Sequence, residues 1–196
     1  MPTIIDIWNK ALTHIGAARV SSLTEASREA RVCRTLYDDI IKEVLRVHPW
    51  GFASTVIQLA VLADVDAVNF AYAYQLPADC YHPVKLIDNV ANTVPVNDEN
   101  NKIYEIRERT LVTDETPVYL KYTKLIVDPG KFDSIFVQAA AYRLASDLAL
   151  AVPKKMALHD RMLRRYQATV LSAKNVDASQ DKTKKNDGQS FINARR

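Results

Sequence analysis

The chain has 196 residues, 48% of them hydrophobic and 25% charged, and its 26 Lys and Arg against 23 Asp and Glu give a formal net charge of +3. That length can bury a sizeable core without cross-links, and the composition excludes collagen, low-complexity disorder and a disulfide mini-protein. The only glycines are Gly16, Gly51, Gly130 and Gly188, which cannot supply a Gly-rich phosphate loop.

The first segment predicts a helix. Thr3 can cap it, Ile4, Ile5, Trp8, Leu12 and Ile15 fall at helical spacing, and Gly16 sits where a left-handed glycine would end it. Ser22 and Glu25 then have the spacing of a capping box. A long helix is predicted from about residue 25 to residue 47, with Ala26, Ala30, Cys33, Leu36 or Tyr37, Ile40, Val44 and Leu45 or Val47 as its apolar stripe, stopped by Pro49.

The middle changes character. Residues 55–62 are β-branched and apolar and read as a strand. Asp64, Asp66 and Asn69 mark a turn region, and further strands are predicted at 72–76, 84–87, 102–106, 110–113 and 118–126. A polar turn is predicted at 97–101. Together these form one small antiparallel sheet. Pro77 should end its strand because it cannot donate to a ladder, and Asp79 should cap the turn that follows.

Helix returns at 132–152, with Ile135, Phe136, Ala139, Ala140, Leu144, Leu148 and Ala151 on one broad face whose alanines would admit a close neighbour. Pro153 breaks the chain. A fourth helix is predicted at 154–178, with Met156, Leu158, Met162, Leu163, Tyr166, Val170 and Leu171 apolar. Residues 179–196 are polar and basic with one late apolar pair, Phe191 and Ile192, and are expected to be disordered in the free chain.

Each helix pair leaves an apolar stripe without a partner in its own half. The fold class expected is therefore α+β: one four-helix bundle from the N- and C-terminal helix pairs, with a small antiparallel β-sheet domain inserted and a flexible C-terminal tail. The division is 1–53, the N-terminal helix pair; 54–130, the β-rich insertion; 131–178, the C-terminal helix pair; and 179–196, a basic extended tail. Trp50 and Phe52 flank the helix stop and should seal the bundle end against the sheet.

Charge is uneven along these segments. Residues 55–130 carry 6 basic and 11 acidic side chains, whereas residues 131–178 carry 8 and 4. The acidic middle and basic C-terminal third read as solvated faces or as a polar molecule whose ends meet different partners. Asp6 and Lys10 interrupt any secretory leader, and the charge-free run at 50–63 has 14 residues, short of the ~18–20 that span a bilayer. No membrane role is expected, and the chain should be made in a cytoplasm.

Motif arithmetic points to no enzyme. No G-x-S-x-G string occurs, and His14, His48, His82 and His159 lie at no metal-ligand spacing. Cys33 and Cys80 match no metal or redox pattern and read as small buried apolar residues. His48 reads as a helix-end residue facing the C-terminal dipole. Asp38 and Asp39 are adjacent on a helix and diverge, Glu105 and Glu108 flank a strand break, and Asp114 and Glu115 occupy a turn, so none reads as a converging acid pair. No catalytic residue, cofactor site or metal site is assigned. Lys154, Lys155, Arg161, Arg164 and Arg165 cluster within twelve residues, and a protein partner fits them better than duplex recognition.

Four strings carry a resemblance. They are Ala11-Leu12-Thr13-His14-Ile15-Gly16; Ser22-Leu23-Thr24-Glu25-Ala26-Ser27 leading into Cys33-Arg34-Thr35-Leu36-Tyr37; Leu45-Arg46-Val47-His48-Pro49-Trp50-Gly51-Phe52-Ala53; and Ala73-Tyr74-Gln75-Leu76-Pro77-Ala78-Asp79-Cys80. With them the chain resembles the head-to-tail adaptor family of short-tailed bacteriophages, also called tail tubular protein A or tail accessory factor. The motifs cover residues 4–80, and length and element order extend the likeness to the whole chain, with residues 81–130 matching only in being strand-rich. Trp50, Phe52, Tyr74, Pro77 and Asp79 are its structural signature.

The resemblance implies a structural protein of the virion tail, assembled in the host cytoplasm. Members form a ring of about a dozen copies beneath the portal protein, bind the tail nozzle protein on the other side, and leave a channel for DNA that passes without sequence recognition. Such a ring needs two different patches per subunit. The C-terminal segment would reach the portal, with Phe191 and Ile192 as anchors and Arg195 and Arg196 as charged contacts. The alternatives are a head completion or stopper protein at another head–tail joint, a nucleic-acid-binding helical module, and a glycosidase using the acidic block.

Overall fold

The structure, a computed structural model, describes residues 1–63, 69–87 and 103–186, with side chains described as far as residue 176. The protein is mixed α+β, with four α-helices and two small antiparallel sheets among the described residues. The chain divides into two compact units: Met1–Phe52 with Ile126–Ser179, and a second centred on Ala53–Leu125.

Helix α1 spans Ile4–Ile15. The Thr3 hydroxyl oxygen accepts from the Asp6 amide at 3.2 Å, and the Asp6 carboxylate accepts from the Thr3 amide at 2.9 Å, so two orphan donors of the first turn are satisfied reciprocally. Gly16 closes the helix at φ 68°, a left-handed conformation that costs glycine nothing and a side-chain-bearing residue about 1 kcal/mol. Ile7, Trp8, Ala11, Leu12 and Ile15 are buried.

The linker to the next helix is pinned at Val20 by the Asn9 side chain. The buried Asn9 amide donates to the Val20 carbonyl at 2.9 Å and accepts from the Val20 amide at 2.8 Å. Helix α2 spans Arg28–Val47, and its cap is Ser27, whose hydroxyl accepts from the Ala30 amide at 3.3 Å. The predicted cap at Ser22 is thus corrected. Glu25 turns back to accept from the Ser21 amide at 2.7 Å, so it serves the linker and not the helix start. The buried stripe is Ala30, Cys33, Tyr37, Ile40, Ile41, Val44 and Leu45, while Ala26 and Val47 are exposed. His48 leaves the helix in extended geometry, as Pro49 requires.

Helix α3 spans Ser134–Ala151, capped by Asp133, whose carboxylate accepts from the Phe136 amide at 2.7 Å. It packs against both α1 and α2. Its buried face carries Ala139, Ala140, Ala141, Ala145 and Ala149 beside Phe136, Leu144 and Leu148, and short side chains let helix axes approach closely. Ile135, predicted on this face, is exposed.

Helix α4 spans Met156–Asn186 and buries Met162, Tyr166, Val170 and Ala173, one per turn. Met156 and Leu171, predicted as core, are exposed. The helix runs past residue 178, so residues 179–186 are helical where an extended tail was predicted. Residues 187–196 lie outside the described residues.

The second unit holds β1 (Ser54–Gln58), β2 (Tyr72–Gln75), β3 (Cys80–Ile87), β4 (Tyr104–Arg107), β5 (Thr110–Thr113) and β6 (Tyr119–Lys124). The single sheet predicted from the sequence is two: β1-β6-β3 and β2-β5-β4, every pairing antiparallel. Tyr74 and Leu111 from one sheet share a core with Leu86, Leu120 and Tyr122 from the other. Pro83 sits in the edge strand β3 beside a register shift, where a missing amide donor is tolerated. The predicted turns at Asp64, Asp66 and 97–101 lie outside the described residues.

Candidate functional site

The signature residues are placed by packing. Trp50 is buried, its indole Nε1 donates to the Val44 carbonyl at 2.8 Å, and its ring meets Phe136 edge to face with centroids 5.1 Å apart. Phe52 packs on Phe132 and on Phe136. Tyr74 is fully buried, and its hydroxyl donates to the Glu115 carbonyl at 2.8 Å. Pro77 follows β2, and its carbonyl accepts from the Cys80 amide and from Arg109.

Asp79 differs from its predicted role. Its carboxylate accepts from the Tyr122 hydroxyl at 2.9 Å and pairs with Lys124 at 3.1 Å, tying the start of β3 to β6 instead of capping a turn. Burial, and then this hydrogen bond, push the Tyr122 hydroxyl up to about 12. Phe191, Ile192, Arg195 and Arg196 lie outside the described residues.

The other candidates disperse. His48 caps α2 and meets Trp50 edge to face. His82 lies on β3, and His159 Nδ1 donates to the Ser146 carbonyl at 2.9 Å. Among the described residues no three His, Cys, Asp or Glu side chains gather as a metal ion requires. Cys33 is buried and its thiol is pushed up to about 12 by that burial, whereas Cys80 is only half-buried. Asp38 and Asp39 are exposed, Glu105 pairs with Arg107 at 2.9 Å, and Asp114 accepts from the Ala71 amide at 2.8 Å.

One charged cluster is half-buried between helices. Arg143 on α3 donates to Glu43 of α2 at 2.8 Å, to Asp147 at 2.6 Å and to the Ser146 hydroxyl at 3.0 Å. Burial works against the guanidinium, yet the hydrogen bonds to Glu43 and Asp147 outweigh it and raise its pKa. One guanidinium bridges carboxylates of two helices, so the cluster acts as a clamp between α2 and α3. The Tyr166 hydroxyl behind it is pushed up to about 12 by burial and then by the charge of Glu43.

Among the described residues, two grooves stand out on the helical unit. One, about 490 Å³, lies between α2 and α3 and is lined by Val32, Leu36, Leu150 and Ala151, with Arg31 and Asp147 at its rim. The other, about 720 Å³, lies between the end of α1 and the start of α4, where His14 and Gly16 face Lys155, Met156, Arg161 and Arg164. The sequence showed the basic cluster of α4 but gave no sign that His14, some 140 positions earlier, joins it. His14 stacks on Tyr142 with centroids 4.6 Å apart, and the Arg165 guanidinium lies 5.8 Å from the centre of the same ring. Burial, and then the positive charges of Arg165 and Lys10, hold the His14 pKa below the ordinary imidazole value.

No protein-family model matches the chain, and a search of curated proteins returns no match to it.

Proposed function

We propose that the protein is a structural connector of a short-tailed phage virion, a head-to-tail adaptor whose copies close into a ring between portal and tail nozzle around the DNA channel. The observation that carries this reading is the assembly of one compact helical unit from the two ends of the chain, residues 1–52 with 126–179, while the strand-rich block lies between them in sequence. This is the organisation that the unpartnered apolar stripes of the two helix pairs predict, in the element order that the likeness to the adaptor family includes. The burial of Trp50 and Tyr74, both signature residues, supports it too.

The same reading makes the four helices one four-helix bundle. It is supported by α3 packing on α1 and α2, by the buried stripe of α4, and by the His159–Ser146 hydrogen bond between α4 and α3. A conduit must release DNA, and each neutralised phosphate strengthens retention. The acidic β-rich segment therefore supplies more of the charge facing the channel than Arg161, Arg164 and Arg165 do.

The test is to mix the purified full-length chain with portal rings and examine them by negative-stain microscopy. A new ring layer is expected. Deleting 187–196, which leaves α4 whole, should abolish that layer while the circular dichroism stays unchanged. Bare portal rings after mixing with the intact chain would reject the connector reading. Retained binding after the deletion would reject the role of Phe191, Ile192, Arg195 and Arg196.

A further inference from the structure

We propose that the groove between the end of α1 and the start of α4 docks an acidic, amphipathic segment of a partner protein, a short stretch presenting carboxylates around one or two apolar side chains. The inference is independent of the connector reading.

The first support is uncompensated charge. Lys155, Arg161 and Arg164 are exposed, and none forms an ion pair with a described residue. The first turn of α4 carries no acid. Arg161 and Arg164, three positions apart on one helix, lie on the same face, and their planar forks suit carboxylates. Burial first, and then the charges of Arg165 and Lys10, depress the pKa of His14 beside these cations.

The second support is the apolar floor. Ile15 and Leu158 line the groove together with the cations, and Met156 stands in it with 63% of its surface exposed. Methionine at such a place offers an adaptable contact for an aliphatic or aromatic side chain. A volume near 720 Å³ is within the ~300–1,000 Å³ of pockets that bury a ligand.

The floor also decides between polyanions. Single-stranded nucleic acid gains its affinity by stacking bases on aromatic faces. Among the described lining residues the one ring is that of His14, and it is already stacked on Tyr142, whose face Arg165 overlies. Aliphatic side chains together with cations match a peptide that carries both carboxylates and apolar anchors.

The test uses the full chain and fluorescence anisotropy with three labelled probes: a short glutamate peptide with two leucines four positions apart, a peptide of glutamate alone, and an oligo-thymidine of equal charge. The leucine-bearing peptide should bind with a Kd of about 10–100 μM and about fivefold or more tighter than either other probe. Arg161→Gln with Arg164→Gln should weaken it at least about tenfold, with an unchanged urea midpoint. Met156→Ser should erase the advantage of leucine over glutamate alone. Absence of peptide binding, indifference to both variants, or equal binding of oligo-thymidine would each overturn the proposal. So would a self-associated species in sedimentation that the arginine variant dissolves, because the occupant would then be a second copy.

Discussion

At the scale of single residues, most of the fixed points are local hydrogen bonds that one side chain supplies. Trp50 is the clearest. Its indole donates to the Val44 carbonyl near the end of α2, while its ring packs on Phe136 of α3. Trp50→Phe keeps an aromatic ring and removes the donor, so it should cost about 1–2 kcal/mol, read as a lower urea midpoint. His14 gives a pH dependence. Its folded pKa is below 6.5 through burial and the charges of Arg165 and Lys10. As pH falls below about 6.5 the unfolded chain takes up a proton that the native imidazole refuses, so stability declines until the folded value is passed. His14→Gln should flatten the fall in urea midpoint between about pH 7.5 and about pH 5. An unchanged slope would remove His14 as its source.

At the scale of elements, the helix ends show what a sequence displays and what it hides. Gly16 was legible because the left-handed closure it provides is a local demand. Ser22 with Glu25 has the spacing of a capping box, yet the cap is Ser27, because Glu25 is used by the Ser21 amide and the linker is pinned by Asn9. Ser27→Ala should therefore destabilise by about 1 kcal/mol, whereas Ser22→Ala should stay within about 0.5 kcal/mol; thermal or urea unfolding of the pair decides which serine caps the helix. Strand positions were legible from β-branched runs, with β5 recovered at both ends. Strand partners were not, because a period of two says which face is buried and nothing about which strand lies alongside. Hence one predicted sheet became two. Ile135, Met156 and Leu171 were assigned to buried faces by spacing alone, and they lie on the flanks of their helices, outside the stripe that packing covers.

At the scale of the whole molecule, the decisive contacts are the longest in sequence. Helices α1 and α2 both pack on α3, which begins more than eighty positions after α2 ends. Neither can complete its burial within the first 53 residues, and short helices without tertiary packing are marginal in water. A peptide of residues 1–53 should therefore show weak helical circular dichroism, and adding a peptide of residues 126–186 should raise it well above the sum of the two alone. A fully helical 1–53 peptide would mean that the first pair folds by itself. The element order made this union legible in the sequence. The groove joining His14 to Lys155, Arg161 and Arg164 was not legible, because the juxtaposition exists only once the ends have come together.

Asn9 has a consequence for chemical ageing. Its side chain stands in for a peptide group, offering the Val20 backbone one nitrogen and one oxygen. Deamidation would exchange that nitrogen for an anionic oxygen of nearly the same size and aim it at the Val20 carbonyl. A donor would become a repelling acceptor in a place closed to solvent, and a change of a single heavy atom would spring the joint between the first two helices.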